Sequence, residues 1–146
     1  MTDYMNIALE QARKALKHGE VPIGAVIINN RGKVISKGFN NREQSRNALH
    51  HAEIIAINKA CKKLKSWRLD DCVMYVTMQP CVMCAGAILN ARIGKVVIGA
   101  LSDRTNDLNI YTENNLNHKT EIEISTQYPE CGQIVKDFFK RARACE

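Results

Sequence analysis

The amino-acid sequence predicts an α/β fold, because stretches with the apolar spacing of helices alternate along the chain with short apolar runs typical of strands. Length and composition agree with that prediction. The chain has 146 residues, of which 45% are hydrophobic and 25% are charged, as in ordinary globular domains. These values exclude a disordered or collagen-like chain, and we expect residues 1–146 to form a single domain.

The N-terminal part predicts a helix followed by a β-hairpin. Apolar residues recur at helical spacing over residues 5–16, and Gly19 follows as a helix stop. Residues 23–28 and 34–39 are apolar runs that predict two strands, and the polar turn at residues 29–32 would join them.

The middle part predicts a helix, a strand and a second helix. After a polar loop over residues 40–47, apolar residues share one face over residues 52–64, which predicts a helix. Residues 73–77 predict a strand. Pro80 suits the first turn of a helix that runs to about Asn90, because that turn does not need the N–H that proline lacks.

The C-terminal part predicts two strands and a closing helix. Residues 95–100 predict a strand, and the alternation over residues 121–124 predicts an edge strand. Residues 130–144 have the pattern of an amphipathic helix, whereas the polar segment 101–119 has no assignable pattern.

The charge balance and the cysteines indicate which binding partners and which cellular compartment to expect. The chain carries 21 Lys and Arg against 15 Asp and Glu, with a net charge of +6 and a pI near 9.1. This excess fits either a solvated surface or an acidic partner such as nucleic acid. No stretch reaches the roughly 20 apolar residues of a membrane span, and the first residues lack a signal-peptide pattern. We therefore expect a cytoplasmic protein with reduced cysteines.

His51, Cys81 and Cys84 have the pattern of a metal site. One imidazole and two thiolates are ligands that Zn²⁺ prefers, and three protein ligands leave the fourth position for water. Cys81 and Cys84 lie on one face in the first turn of a predicted helix, where the helix N-terminus favours thiolates. His51 lies at the start of another predicted helix. Two helix N-termini would therefore converge on one ion.

Glu53 adds a fourth functional group to this pattern. It lies about 200° from His51 around an ideal helix, which disfavours it as a further ligand. Beside the metal, its carboxylate would instead accept a proton from the activated water and hand it on. An H-x-E motif followed by P-C-x-x-C is the known signature of zinc nucleobase deaminases, in which the Glu is the acid/base.

Other interpretations of these residues stay open on the sequence alone. A single C-x-x-C is also typical of a redox pair or of half a structural zinc site, although a closed structural site needs a fourth protein ligand. His50, next to His51, is an alternative ligand. The remaining cysteines are expected to be core or surface residues: Cys61, Cys72, Cys131 and Cys145.

Longer segments match a known family. Some are particular to it, namely Val82-Met-Cys-Ala-Gly86, Asn117-His118 and the basic tail Phe138-Phe-Lys-Arg-Ala-Arg143. Others extend the match over almost the whole chain, at residues 20–26, 38–40, 51–56, 66–69, 74–77, 91–93 and 96–100. In these segments the sequence resembles the bacterial tRNA-specific adenosine deaminases of the cytidine deaminase-like superfamily.

The resemblance implies a three-layer α/β/α fold, with a central mixed sheet of about five strands and helices on both faces. It implies hydrolysis of adenosine to inosine at the wobble position of a tRNA anticodon, by a homodimer with one Zn²⁺ per chain, and it gives the metal-site residues the roles described above. Asn40 and Val21 match a base-contacting asparagine and an apolar pocket residue. The residues that would contact RNA are Asn117, His118, Phe139, Lys140, Arg141 and Arg143.

Three segments depart from the family pattern. Asn47-Ala-Leu-His50 replaces Asp-Pro-Thr-Ala, Gln79 replaces a glutamate, and the loop 101–109 is shorter. All three flank the region that would meet the substrate. A deaminase of a free base or nucleoside (guanine, cytosine or adenine) therefore stays open. So does a non-catalytic RNA-binding subunit on the same fold, although the intact Glu53 counts against it.

Two surfaces are expected to meet partners. Basic residues without intervening acids fit either phosphate contacts or a solvated helix face, and they are Lys59, Lys62, Lys63, Lys65 and Arg68. Apolar residues of the helix after Pro80 would offer a dimer surface, and they are Ala85, Gly86, Ile88 and Leu89.

Overall fold

Five strands and five α-helices make up the computed structural model, which describes residues 1–144 except for the side chains of residues 105 and 106. The helices are α1 (Tyr4–Lys17), α2 (Arg42–Ser45), α3 (Ala52–Leu64), α4 (Val82–Asn90) and α5 (Glu130–Ala144), with a 3₁₀ helix at Thr105–Tyr111. The strands are β1 (Gly24–Ile28), β2 (Val34–Phe39), β3 (Val73–Val76), β4 (Lys95–Ile98) and β5 (Glu121–Ile124).

The strands form one mixed sheet in the order β2-β1-β3-β4-β5. β1 pairs antiparallel with β2 and β3, whereas β3, β4 and β5 are parallel to one another. Gly24, at the start of β1, lies opposite Phe39, at the end of β2, and the next residue, Ala25, lies opposite Val76, at the end of β3. The start of β1 and the ends of β2, β3 and β4 therefore meet at one end of the sheet.

Helices cover both faces of the sheet, which confirms the predicted three-layer α/β/α architecture. Successive side chains of a strand point to opposite faces. Val26 and Ile28 of β1 pack in a core with α1 and the start of α5, whereas Ala25 and Ile27 pack in a second core with α3 and α4.

Helix α3 packs closely on β2 because Gly38 has no side chain. A Cβ at Gly38 would lie 2.9 Å from the backbone nitrogen of Ala56 and 3.2 Å from the Cβ of Ile55. Ser36, on the same strand, donates a hydrogen bond to the Ala56 carbonyl at 2.7 Å. These contacts fix α3 against the strand that leads into Asn40.

The structure differs from the predicted elements in three places. Helix α4 begins at Val82, and Pro80 lies outside it, because Cys81 has the extended backbone angles of an N-cap residue. Helix α2 is a single turn inside the predicted loop 40–47. The 3₁₀ helix lies inside the segment that had no assignable pattern.

The expected dimer surface on α4 is wrong for three of its four residues, and only Gly86 is partly exposed. Ala85, Ile88 and Leu89 are buried in the core of the chain itself, because this face of α4 packs on the sheet. Within residues 1–144, none of the helices has the length and apolar character that a membrane-spanning helix needs.

Candidate active site

Two helix N-termini bring His51, Cys81 and Cys84 together. His51 is the N-cap residue of α3, Cys81 is the N-cap residue of α4, and Cys84 lies in the first turn of α4. His51 Nδ1 lies 3.6 Å from Cys81 Sγ and 3.5 Å from Cys84 Sγ. The three side chains offer ligand atoms that all lie within 4.8 Å of one another.

These distances fit a tetrahedral zinc site. With Zn–S bonds of about 2.3 Å and Zn–N bonds of about 2.0–2.1 Å, sulfur and nitrogen ligands at tetrahedral angles lie about 3.6 Å apart. The observed separations of 3.5 and 3.6 Å therefore match without rearrangement. Among residues 1–144, no fourth His, Cys, Asp or Glu joins the group. One coordination position would stay open, as in catalytic rather than closed structural zinc sites.

The two thiols differ in acidity. A hydrogen bond from the Cys84 thiol lowers the pKa of Cys81 to about 5, and the backbone N–H groups of Met83 and Cys84 act in the same direction. The same thiol–thiol hydrogen bond, together with burial, raises the pKa of Cys84. In the metal-free pair these shifts favour the thiolate at Cys81, which the N-terminus of α4 also stabilises.

Glu53 lies buried beside the thiols, with 3% of its surface exposed. Burial raises the pKa of its carboxyl to about 7, and a hydrogen bond from its own backbone N–H partly opposes that rise. A carboxyl with a pKa near neutrality can both accept and return a proton at pH 7. Glu53 is not one of the three clustered donors in the described residues.

The His50 side chain forms hydrogen bonds with residues outside the metal site. Its Nδ1 lies 2.7 Å from Ser45 Oγ, and its Nε2 lies 3.1 Å from Asn47 Nδ2. Asn47 Oδ1 also accepts a hydrogen bond from the Leu49 backbone at 2.9 Å. His50 thus helps to close the turn before α3, and the geometry favours His51 as the ligand.

A cavity of about 240 Å³ opens beside Glu53, His51 and Cys81, and both Asn40 and Val21 line it. Asn40 Nδ2 donates to the Val21 carbonyl at 3.3 Å. Asn40 Oδ1 is buried and has no hydrogen-bond partner among the described residues. A buried acceptor without a partner costs free energy, so this oxygen is available to a donor group of a bound ligand.

The cavity wall also contains residues to which the sequence interpretation gave no role, among them Arg42, Met78, Ser102 and Arg104. Gln79, noted only as a departure from the family pattern, lines the cavity and is 6% exposed. Its Nε2 donates to the Arg104 carbonyl at 2.8 Å, and its Oε1 accepts from the Ser102 N–H at 3.1 Å. The only signal in the sequence was that these residues flank the motifs, since periodicity says nothing about loop conformation.

The residues expected to contact RNA lie in two places. Phe139 of α5 lines the cavity. Asn117 and His118 line a separate depression, where His118 Nε2 lies 2.9 Å from the Ile93 carbonyl. Three exposed residues follow Phe139 on α5, and they are Lys140, Arg141 and Arg143.

The basic cluster of residues 59–68 is exposed and lies far from the cavity. Lys62 and Lys63 are in the last turn of α3, about 17 Å along the helix from His51. Cations are favourable at a helix C-terminus, which gives the two lysines a structural role.

The remaining cysteines do not join the metal donors among the residues that the structure describes. Cys72 and Cys131 are buried, and Cys61 is half-buried. Cys145 lies outside the described residues.

Comparisons with known proteins agree with this geometry. The model of the MafB19-like deaminase family matches residues 1–143. A tRNA-specific adenosine deaminase of Bacillus subtilis (strain 168) is 40% identical over 144 residues, which cover 96% of this chain and 89% of the relative.

Two solved structures extend the likeness to the fold. One, from studies of A-to-I editing by tRNA:A34 deaminases, is 33% identical, has a TM-score of 0.83, and covers 90% of this chain and 97% of that chain. The other, a guanine deaminase from Bacillus subtilis, is 30% identical, has a TM-score of 0.66, and covers 99% and 95%. The predicted cytidine deaminase-like fold is thereby confirmed.

Proposed function

The chain belongs to the MafB19-like deaminase family and, within it, to the tRNA-specific adenosine deaminases, and from that premise we propose that it converts adenosine to inosine at the wobble position of a tRNA anticodon. It is an enzyme, and we take residues 1–146 as one deaminase domain. The observation that carries the proposal is the single cavity lined by Glu53, Asn40 and two of the metal donors, with the third donor, Cys84, buried next to them.

The cavity residues are suited to hydrolytic deamination, in which water adds to C6 of adenine and ammonia leaves. We propose that His51, Cys81 and Cys84 hold one Zn²⁺ per chain, which when bound supplies a nucleophile at neutral pH by lowering the pKa of water. Glu53 takes a proton from the attacking water and returns it to the leaving amino nitrogen. Asn40 Oδ1 accepts a hydrogen bond from the base, and Val21 packs beside it.

A tRNA anticodon loop suits such an enclosed site. Deaminases reach the target atom only when the base leaves the stack, and a loop base is already unpaired, so its extrusion costs little. The net charge of +6 and the exposed basic tail beside Phe139 on α5 also favour an RNA substrate.

A free base or nucleoside is the second candidate substrate. It is favoured by the likeness to a guanine deaminase at 30% identity and by the departures at Gln79 and in the loop 101–109. The relative that is a tRNA-specific adenosine deaminase is more similar, at 40% identity. The buried Glu53 argues against a non-catalytic RNA-binding subunit, because such a protein has no use for a proton shuttle.

We propose that the enzyme is a cytoplasmic homodimer, because its proposed substrate is tRNA and because large apolar side chains beside the cavity residues face solvent. Leu49 is 56% exposed, Val82 is 64% exposed and Leu101 is 44% exposed. Large apolar side chains left exposed beside a functional cavity are typical of interaction surfaces. Light scattering on the purified protein is expected to give twice the mass of the chain.

The proposed function is tested by measuring inosine in tRNA transcripts that carry adenosine at the wobble position, with transcripts carrying guanosine there as the control. Ammonia release from adenine, adenosine, guanine and cytosine is measured in parallel, and Glu53→Gln protein gives the background. Inosine in the first transcript alone is the expected result. Ammonia from a free base, with no inosine in any transcript, would make the second candidate the function.

A further inference from the structure

We infer that Arg42 and Arg104 form a phosphate-binding pair at the mouth of the cavity, which holds the phosphodiester groups on either side of the target nucleoside. The inference rests on the proposed function and explains how this site selects a nucleoside within an RNA chain over a free base.

Two arginines carry the positive charge at the mouth of the cavity. Among the described residues that line it, Arg42 and Arg104 are the two with a permanent positive charge, since the other titratable groups belong to the metal site. Their side chains are 49% and 66% exposed, whereas Glu53 is 3% exposed. A base placed against Glu53 would therefore direct its ribose and phosphates towards the two guanidinium groups. A guanidinium fork matches the oxygens of a phosphate, while a neutral free base gains nothing from this charge.

Neither guanidinium group forms a close ion pair among the described residues. Arg42 Nη2 lies 3.7 Å from Glu43 Oε1, and Arg104 Nε lies 3.9 Å from Asp107 Oδ2. Both separations exceed hydrogen-bond length, and exposed ion pairs of this kind contribute little to stability. A phosphate can therefore engage either arginine at little cost.

Buried polar side chains fix the backbone around both arginines. On one side of the mouth, the Glu20 carboxylate, which is 1% exposed, accepts hydrogen bonds from the backbones of Glu43 and Gln44 at 3.0 and 2.8 Å. The Arg42 carbonyl also accepts from the Asn47 N–H at 3.1 Å. Helix α2 is thereby tied to the segment that contains Val21.

On the other side of the mouth, the Gln79 amide holds the Arg104 carbonyl at 2.8 Å, and the Arg104 N–H donates to Ser102 Oγ at 3.2 Å. Both arginines are thus anchored by their backbones while their side chains reach solvent. Anchoring before binding reduces the ordering that binding would otherwise require.

The test replaces both arginines with glutamine, which removes two charges while keeping polar side chains of similar length. Binding of an anticodon stem-loop RNA is measured over a range of salt concentrations, and zinc content is measured on the same samples. The charge-matched control is Arg31→Gln with Lys33→Gln, because these exposed residues lie in the β1–β2 turn, at the other end of the hairpin from the cavity. The single variants Arg42→Gln and Arg104→Gln keep the test valid where the double variant folds poorly.

The double variant is expected to lower the slope of log K against log salt by about 1.4, since each lost contact to single-stranded phosphate removes about 0.7. Near 0.15 M salt this corresponds to roughly tenfold weaker binding. Each single variant is expected to lose about half of that slope. The control variant is expected to keep the wild-type slope, and every variant is expected to keep its zinc content. Arg42→Lys with Arg104→Lys is expected to restore the slope.

Three results would overturn the inference, and they can be told apart. If the wild-type protein forms inosine in the stem-loop and the glutamine variants keep its salt slope and KM, the arginines do not bind phosphate and the proposed function stands. If the wild-type protein forms inosine in no RNA, the proposed function fails and the inference fails with it. Adenosine 5′-monophosphate competing as well as the stem-loop would show a monophosphate site and also overturn the inference.

Discussion

The floor of the site comprises the cavity-lining residues His51, Glu53 and Cys81 and the buried Cys84 next to them, and it stands on two helices. The rim of the cavity, formed by residues 40–47 and 101–107, is held by single polar side chains. The helices beneath the floor pack on the sheet through apolar residues that are almost completely buried. The rim is attached through the Glu20 carboxylate and the Gln79 amide.

This difference separates the chemistry of the site from its choice of substrate. Displacing the floor requires disrupting the core, because its residues belong to helices whose opposite faces are buried. The rim depends on hydrogen bonds that each contribute about 0.5–1.5 kcal/mol, so it can change while the fold persists. We therefore expect substitutions in the floor to abolish the reaction. Substitutions in the rim are expected to change how tightly the substrate binds and how it is positioned.

The largest effect is expected for Cys84→Ser, which removes a buried thiol of the floor. Serine is a poor zinc ligand, so the variant is expected to lose the metal, all activity and part of the free energy of unfolding, since metal binding is coupled to folding. Elemental analysis and thermal unfolding measure these losses. Cys61→Ser makes the same chemical change outside the site and is expected to keep its zinc. Full zinc occupancy in Cys84→Ser would refute the ligand assignment.

The second effect is expected for Glu53→Gln, which preserves the shape of the floor and removes its proton shuttle. An amide cannot accept and return a proton, and general acid–base catalysis contributes about 10²–10⁴-fold. We expect kcat to fall by at least that factor, while zinc content and thermal stability stay at wild-type levels. The exposed Glu121→Gln serves as the matched control. If Glu53→Gln turned over substrate as fast as the control, another group would have to move the proton.

The contrast between floor and rim also explains how much the sequence could predict. The core elements were predictable because apolar periodicity records which face of each helix or strand is buried. The metal donors were predictable because Cys81 and Cys84 sit at fixed spacing on one helix and His51 precedes another. These relations are local, so they are visible in a single sequence.

The rim was not predictable because its contacts join residues that are distant in sequence. Glu20 reaches the backbones of Glu43 and Gln44, and Gln79 reaches Ser102 and Arg104. No periodicity accompanies such contacts, so helix α2 and the 3₁₀ helix were missed. The buried face of α4 was misjudged for a related reason, since apolar residues alone do not tell a core face from an interface.

The third prediction is for Gln79→Met, which keeps the volume of the side chain and removes both of its hydrogen bonds to the rim. Small displacements of positioning groups can cost up to about 10² in rate, so we expect kcat/KM for RNA to fall by tenfold or more, with zinc content unchanged. Trypsin cleavage after Arg104 is expected to become faster, which reports release of the rim independently of activity. Gln127→Met, on the exposed surface, is the control. Wild-type cleavage and kinetics in Gln79→Met would mean that Gln79 does not hold the rim.

The smallest effect is expected for the basic tail, where Lys140, Arg141 and Arg143 are exposed on α5 beyond the cavity-lining Phe139. Arg143 lies four residues after Phe139, and this spacing places it on the same face of the helix, whereas Lys140 and Arg141 face elsewhere. Replacing all three with glutamine is therefore expected to weaken tRNA binding by less than the loss of three phosphate contacts would.

We expect Arg143→Gln alone to reproduce most of the effect of the triple variant, with a decrease of about 0.7 in the salt slope and a severalfold rise in KM. The kcat and the zinc content are expected to stay unchanged, because the tail is beyond the floor and beyond the hydrogen bonds of the rim. Binding and kinetics measured across a salt series test this expectation. Equal contributions from all three residues would mean that tRNA lies along the helix rather than over its cavity face, and an unchanged slope would mean that the tail does not contact RNA.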